Sequence, residues 1–211
     1  MDNLLVSENQ DTVTFDYETC HLNLSLDNKP WQLSFLIAKG NKALETKNYY
    51  IWWDNLVLSE DARRITRFND NVYKEKAIDP KIVLEEFESY LYNDKYLKVG
   101  HNIYSFDIYI HNQFRALLGK KPDYSYLDNS LDTNSLAKMY KLGIQSLKKE
   151  NIREEMFRFS NFRQKGLKTS LSTMAKEFGI NTDENRLHDS GYDVFINLLV
   201  WNKLKYLVKV E

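Results

Sequence analysis

The sequence contains few of the residues that cross-link, bend or loosen a chain. Its 211 residues include one cysteine, three prolines and seven glycines. A single cysteine, Cys20, excludes an internal disulfide and is typical of a protein from a reducing compartment. The scarcity of proline and glycine argues against long flexible linkers. Because a chain of this length can form one good core, we expect residues 1–211 to be a single domain.

Targeting and membrane segments are also missing from the sequence. The N-terminus, MDNLLVSENQDT, has no basic region followed by an apolar run, so no signal peptide is predicted. No window approaches the roughly 18 uninterrupted apolar residues of a membrane span. These absences predict a cytoplasmic protein that has no membrane partner.

The net charge is small but unevenly distributed. The formal charge is −1, so the whole chain is not a basic nucleic-acid-binding protein. Residues 138–168, however, contain nine Lys or Arg and three Glu, a local net charge of +6. Aromatic residues are interleaved with the basic ones. The members of this mixed set are Lys148, Lys149, Arg153, Arg158, Arg163, Lys165 and Lys168 with Tyr140, Phe157, Phe159 and Phe162.

This basic and aromatic segment, about residues 138–168, is predicted to be a helical insertion. One interpretation is a groove for a single strand, in which cations follow the phosphates and rings stack on bases. Arg158 and Arg163 would then contact substrate. The other interpretation is a solvated amphipathic helix whose aromatic side chains face the core. Both interpretations remain open at the level of sequence.

The order of the predicted elements indicates the fold class. Three strands come first, at Thr12–Glu18, Trp31–Gly40 and Thr46–Trp53, because β-branched and aromatic residues dominate these runs. Helices then alternate with two short strands, in KYLKVGHN and near 127–133. Helix starts are predicted at Ser59, Asp79, Ser105, Asp132, Thr169 and Ser190. This order predicts a three-layer α/β domain with a mixed sheet.

Two acids in the first predicted strand are unusual. Side chains alternate across a strand, so Asp16 and Glu18 point to the same face, and Tyr17 points to the other. Two close carboxylates repel each other, and burial raises the free-energy cost of charging them. Either that face is solvated, or something positive lies against it.

Further acids and a histidine follow other predicted elements. Asp107 lies just past a strand, and His188 and Asp193 lie at the start of the last helix. If these segments meet at one end of the sheet, four carboxylates and an imidazole converge there. Two hard divalent cations such as Mg²⁺ or Mn²⁺, which prefer oxygen ligands, would neutralise the acids. A histidine at the rim could deprotonate an attacking water.

Each of these residues also has a local structural explanation. Asp107 could be a first-turn acid that interacts with the helix dipole. Ser190 and Asp193 fit a capping box, in which Asp193 would only satisfy the helix N-terminus. His188 could be a surface histidine, and Asp189 is expected to face solvent or to support a neighbour. The occurrence of all the acids in order, on matching elements, favours the metal site.

Three short segments resemble the exonuclease motifs of the DnaQ-like DEDD nucleases. They are Asp16-Tyr17-Glu18, then Val99-Gly100-His101-Asn102 followed by Phe106-Asp107, and finally His188 with Asp193 five residues on. Asp132-Thr133 with Leu136-Ala137 resembles a further segment of that family. The likeness runs from about residue 12 to residue 205. The spacing of His188 and Asp193 is that of the DEDDh subgroup.

The resemblance implies a ribonuclease H-like fold, with a mixed five-stranded sheet between layers of helices. It also implies a metal-dependent 3′→5′ exonuclease that uses two Mg²⁺ or Mn²⁺ ions. The metal ligands would be Asp16, Glu18, Asp107 and Asp193. His188 would be the general base.

The same resemblance implies a set of substrate contacts. Thr19 and Leu22 would touch the terminal nucleotide, and Asn102 and Phe106 would line its pocket. The expected substrate is single-stranded DNA or a frayed DNA end. An RNA-trimming or oligoribonucleotide-degrading enzyme is the alternative, because sugar preference depends on contacts to one 2′-hydroxyl. A non-catalytic nucleic-acid-binding scaffold is an alternative of a different class. A polymerase or another replication or repair protein is a candidate partner.

Overall fold

A mixed six-stranded sheet forms the centre of the computed structural model, which describes residues 5–25, 27–183, 186 and 189–210. The strand order is β4-β3-β2-β1-β5-β6. The strands are β1 Asp11–Thr19, β2 Pro30–Lys39, β3 Lys42–Ile51, β4 Ala77–Ile78, β5 Leu97–Gly100 and β6 Ser130–Asp132. Strands β1, β2 and β3 form an antiparallel meander, whereas β5 runs parallel to β1 and β6 runs parallel to β5. A separate parallel pair consists of β7 Ser146–Leu147 and β8 Lys209–Val210.

Helices cover both faces of the sheet. They are α1 Glu60–Thr66, α2 Asp70–Lys76, α3 Pro80–Leu91, α4 Asp107–Leu117, α5 Thr133–Lys141, α6 Ile152–Asn161, α7 Leu171–Glu177 and α8 Ser190–Leu204. Short 3₁₀ turns lie at Ile103–Ser105, Ser125–Asn129 and Lys149–Asn151. No helix in the described part of the chain combines the length and the apolar character that crossing a membrane requires.

The two faces of β1 contact different helices. Phe15 and Tyr17 point toward α3, where their rings lie 5.3 Å and 6.0 Å from the ring of Phe87. On the other face, Asp16 lies opposite Ser34 of the neighbouring strand β2. The hydroxyl of Ser34 contacts that of Ser190, the first residue of α8. Apolar residues on one face therefore build the main core, and the acids point toward α8.

The predicted three-layer α/β fold is confirmed, with one more strand than expected. The sixth strand, β4, has two residues and pairs with the end of β3. Such a short segment carries no alternation that a sequence could display. The five other strands of the sheet are those predicted.

The predicted role of Ser105 as a helix cap is wrong. Ile103–Ser105 forms its own 3₁₀ turn, and α4 begins only at Asp107, with no side-chain cap at Phe106. The hydroxyl of Ser105 instead donates to the carbonyl oxygen of Ser160 over 3.2 Å. It therefore links this turn to the end of α6.

Candidate active site

Asp16 and Glu18 lie near the C-terminal end of β1 and are both half-buried. Their cross-strand partners in β2 are Ser34 and Gln32. The parallel ladder to β5 covers only Thr12–Thr14, so β1 extends beyond this neighbour. Ligands of open α/β sheets bind outside the carboxyl ends of parallel strands. Both acids therefore occupy the edge at which this fold class commonly binds ligands.

Asp107 approaches the same strand end from α4. Its side chain is 3% exposed, and its Oδ1 accepts a hydrogen bond from the amide of Tyr17 over 3.1 Å. The ladder to β5 ends before Tyr17, so Asp107 takes the place of a sheet partner there. Tyr17 separates Asp16 and Glu18 in sequence. The third acid is thus tied to the backbone between the other two.

The turn that delivers Asp107 depends on Asp132 and Gly100. The Asp132 carboxylate accepts four backbone hydrogen bonds, which join the turn before α4 to the start of α5. The donors are the amides of Asn102, Tyr104, Asn134 and Ser135. A Cβ at Gly100 would lie 2.0 Å from Cγ2 of Ile103, so glycine at this position leaves room for the Ile103 side chain.

Asp193 lies in the first turn of α8. The N-cap is Asp189, whose Oδ1 accepts from the amide of Gly191 over 3.0 Å, and Ser190 is already helical. The capping box of Ser190 with Asp193 is therefore not formed, and that explanation of Asp193 is wrong. Asp189 itself is exposed, as expected.

Burial and nearby negative charges raise the pKa values of Asp16, Glu18 and Asp107. Burial is the main cause for Asp16, followed by the charges of Asp107, Glu18 and Asp193. Burial also dominates for Glu18, followed by Asp193, Asp107 and Asp189. The pKa of Asp107 rises to about 7, mainly through burial, although the hydrogen bond from Tyr17 opposes the rise. A bound cation would relieve this repulsion.

The donor set fits a hard divalent cation in type and in charge. Asp16, Glu18, Asp107 and Asp193 supply only carboxylate oxygens, which Mg²⁺ and Mn²⁺ prefer. Within the described residues, however, no three His, Cys, Asp or Glu side chains are grouped closely enough to hold an ion as they stand. The acids thus match a divalent cation in ligand type and in charge, but they do not form a ready-made coordination site.

A cleft of about 810 Å³ opens over this strand end. Asp16, Asp107 and Asp193 line its floor, whereas Glu18 is not among the lining residues. Asn102 and Phe106 also line the cleft, and their proposed contacts to a terminal nucleotide remain a prediction. The cleft therefore brings together three of the four acids and three of the proposed substrate contacts, Asn102, Phe106 and Arg163.

Residues 162–170, which we call the cleft wall, form a second part of the lining. Phe162, Arg163 and Lys165 of this wall line the cleft, together with Lys138 of α5. Arg163 is exposed, and its guanidinium donates to the carbonyl oxygens of Ser160 and Phe162 over 2.6 Å and 3.0 Å. Cations and one aromatic ring thus line the same cleft as the acids.

Arg158 lies elsewhere, on the exposed side of α6. Its guanidinium pairs with Glu155 over 3.0 Å and stacks over the ring of Phe159. It lines a separate cavity of about 310 Å³, together with Lys148 and Leu147. The predicted basic segment therefore divides into a cleft-facing part and a part that faces solvent.

Thr19 and Leu22 do not line the main cleft. Thr19 ends β1 and is buried, and its hydroxyl donates to the carbonyl oxygen of His21 over 2.5 Å. Leu22 is 51% exposed in the loop that follows. Their proposed contacts to a terminal nucleotide remain a prediction. His188, the predicted general base, lies outside the described residues.

Two residues near the site were not predicted to matter. The Lys138 amine, which lines the cleft, donates to the carbonyl oxygens of Phe159 and Ser160 over 2.8 Å and 3.1 Å. His111, which showed no signal in the sequence, is fully buried one turn after Asp107. The spacing of four residues between Asp107 and His111 places both on one helix face and could have indicated it.

Solved structures of a bacterial nuclease share this fold. Exonuclease I of E. coli in complex with a dT13 oligonucleotide matches with a TM-score of 0.71 and 18% sequence identity over 94% of this chain. A zinc-bound form of its single-stranded DNA complex matches with a TM-score of 0.72 and 16% identity over 93% of the chain. The apo enzyme matches with a TM-score of 0.71 and 16% identity, also over 93%.

The match extends over nearly all of this chain but over only about two fifths of the Exonuclease I chain. These three alignments cover 41%, 40% and 42% of the Exonuclease I chain. No protein-family model and no curated protein matches the sequence. At 16–18% identity the likeness is one of fold, and it confirms the ribonuclease H-like architecture that the motifs implied.

Proposed function

We propose that this protein is a metal-dependent 3′→5′ exonuclease that removes nucleoside monophosphates from single-stranded or frayed DNA. The observation that carries the proposal is the group of mutually repelling acids at the end of β1, Asp16, Glu18, Asp107 and Asp193. Such a group raises the free energy of the folded protein unless cations neutralise it. The group is therefore better explained by a role in metal binding and catalysis than by a contribution to folding stability.

In this proposal the four carboxylates would hold two divalent ions, Mg²⁺ or Mn²⁺. Paired ions of this kind stabilise the attacking and leaving oxygens of a phosphodiester displacement. Asp107 is held toward β1 by the Tyr17 amide, and this pre-orients one carboxylate before an ion binds. His188 would accept the proton of the attacking water.

The cleft supports a single nucleic-acid strand as the substrate. Arg163 and Lys165 of the cleft wall supply positive charge in the cleft that the acids line, and Phe162 and Phe106 supply aromatic rings. Cations that follow phosphates, together with rings that accept bases, are the usual elements of a single-strand groove. The solved Exonuclease I complexes contain a dT13 oligonucleotide and single-stranded DNA.

RNA is the alternative substrate, since discrimination would depend on one 2′-hydroxyl contact near the 3′ end. A non-catalytic binding protein that retained the fold is the alternative of a different class. The presence of all four acids and of His188 in the sequence weighs against it. A polymerase or a repair protein as a partner, and a cytoplasmic location, are further parts of this proposal.

The decisive experiment is a degradation time course with 3′-labelled and 5′-labelled DNA and RNA oligonucleotides. Each would be incubated with Mg²⁺, with Mn²⁺ or with a chelator. We expect stepwise shortening from the 3′ end of single-stranded DNA, released as mononucleotides, and only with added metal. Asp16→Ala should abolish it. Asp61→Asn is the matched control, because Asp61 pairs with Arg64 on the exposed surface of α1.

Release that proceeds in chelator and persists in Asp16→Ala would contradict the metal mechanism. Faster degradation of RNA than of DNA would transfer the proposal to the RNA-trimming alternative. Binding of single-stranded DNA without any degradation, under all metal conditions, would favour the scaffold.

A further inference from the structure

A buried chain of hydrogen bonds runs behind the acids, through His111. The hydroxyl of Tyr17 lies 3.0 Å from Nδ1 of His111, and Nε2 of the same ring lies 3.2 Å from the hydroxyl of Tyr92. The Tyr92 hydroxyl in turn lies 3.2 Å from the carbonyl oxygen of Asp123. Four segments of the chain, namely β1, α4, the end of α3 and a loop, are thereby joined.

The carbonyl oxygen of Asp123 at the end of this network determines which group donates in each hydrogen bond. A carbonyl oxygen only accepts, so Tyr92 donates its proton to Asp123 and must accept from His111. Nε2 of His111 therefore carries the proton, and Nδ1 accepts from Tyr17. Burial lowers the pKa of His111 to about 3, so the ring is neutral and one tautomer satisfies both contacts.

Tyr17 is consequently bound to α4 at both of its ends. Its backbone amide donates to Asp107, and its side-chain hydroxyl donates to His111. Asp107 and His111 are four residues apart and lie on the same face of α4. Two contacts one helical turn apart fix both the translation and the rotation of α4 relative to β1.

We propose that His111 is a positioning residue, which acts through Tyr17 to hold the Asp107 carboxylate between Asp16 and Glu18. The proposal rests on the proposed function insofar as the positioned carboxylate is a metal ligand. Residues behind metal ligands typically contribute 10- to 100-fold to metal affinity. The network belongs to this class of supporting contact, although it reaches the site through a strand rather than through a direct bond to a ligand.

The simpler explanation is that His111 only fills the core. Its ring also packs against Phe87 and Tyr126, with ring centroids 5.6 Å and 5.7 Å away. Tyr126 provides a matched control for this explanation. Its hydroxyl is buried and has no hydrogen-bond partner within the described residues, although its ring touches the same histidine. Tyr126→Phe therefore removes a buried hydroxyl near His111 without breaking the network.

The first measurement requires no metal and no activity. Hydrogen exchange at the amide of residue 17 reports on its bond to Asp107, because an amide that opens more often exchanges faster. We expect Tyr17→Phe to accelerate this exchange about tenfold, the change in an opening equilibrium that the loss of one hydrogen bond typically causes. Tyr92→Phe, which leaves Nε2 of His111 without its acceptor, should act in the same direction. Tyr126→Phe should leave the exchange unchanged.

The second measurement is the Mn²⁺ concentration that gives half of the maximal rise in melting temperature. In Tyr17→Phe we expect it to increase about tenfold. A role in packing alone would lower the metal-free melting temperature and leave this concentration as in Tyr126→Phe. Unchanged exchange at residue 17 in Tyr17→Phe and Tyr92→Phe would overturn the positioning role. If the exchange responds but the wild-type protein shows no Mn²⁺ effect, the proposed function fails and the positioning of Asp107 stands.

Discussion

The hydroxyls of Ser34 and Ser190 lie 2.7 Å apart, and both side chains are completely buried. Ser34 is the cross-strand partner of Asp16, and Ser190 is the first residue of α8. This contact therefore places the start of α8 beside Asp16. Asp193 follows within the same helical turn and reaches the cleft lined by Asp16.

Ser190→Ala should lower the free energy of unfolding by about 1–3 kcal/mol, because it leaves the Ser34 hydroxyl buried without a partner. The double variant Ser34→Ala/Ser190→Ala should be less destabilised than the sum of the two single variants. Urea denaturation of all four proteins measures this coupling. Strictly additive losses would show that the two hydroxyls contribute independently of each other.

Asp107→Asn should increase stability and abolish the metal effect. The side-chain amide oxygen of asparagine can still accept a hydrogen bond from the Tyr17 amide. The substitution removes a buried carboxyl group whose pKa is raised to about 7, and with it the cost of burying a negative charge. We expect the melting temperature in chelator to rise and the Mn²⁺-induced increase to disappear. Nuclease activity should fall on the order of 100-fold or more, since even supporting residues contribute 10- to 100-fold. A variant that retains activity and Mn²⁺ stabilisation would exclude Asp107 as a ligand.

Arg163→Ala and Arg158→Ala should differ, although the two residues belong to the same basic segment. Arg163 lines the cleft, whereas Arg158 pairs with Glu155 on the exposed side of α6. Loss of a phosphate contact weakens binding and reduces the slope of log affinity against log salt by about one. We expect this for Arg163→Ala only, in fluorescence anisotropy with a dT oligonucleotide at several salt concentrations. Equal slopes in both variants would assign the whole segment to the solvated surface.

His111 should make the protein sensitive to acid. Its pKa is about 6.5 in the unfolded chain and about 3 in the folded protein, mainly because of burial, with Arg115 adding to the effect. Burial outweighs the opposing charge of Glu88, whose carboxylate lies 3.8 Å from Nε2. Its contribution to stability is therefore fully present above pH 6.5 and is lost as the pH falls toward 3. The loss amounts to at most about 1.4 kcal/mol per pH unit.

The acids act in the opposite direction, because the raised pKa values of Asp16, Glu18 and Asp107 favour the folded state as the pH falls. The informative quantity is thus the difference between wild type and His111→Gln. Urea denaturation at pH 7.5, 6 and 5 should give a difference that shrinks as the pH falls. A constant difference would mean that His111 is not held neutral.

Local signals in the sequence predicted most elements of the fold. Asp79 with Pro80, and Ser59 with its acidic first turn, begin helices as expected because their caps act within four residues. The predicted cap at Ser105 was wrong because such local signals do not show which distant residues a side chain will contact. Its neighbours could form a separate 3₁₀ turn, and its hydroxyl found a partner in Ser160, which is distant in sequence.

The sequence by itself determined which residue types were available: a pair of acids on one strand face, two more acids after other elements, and a basic segment. These follow from side-chain alternation and from short motifs, which are local properties of the chain. Only the tertiary structure decided that Arg163 faces the cleft and Arg158 does not, and that Asp107 is held by Tyr17. It also revealed the hydrogen bonds of His111, since a network between distant segments leaves no periodic pattern in the sequence.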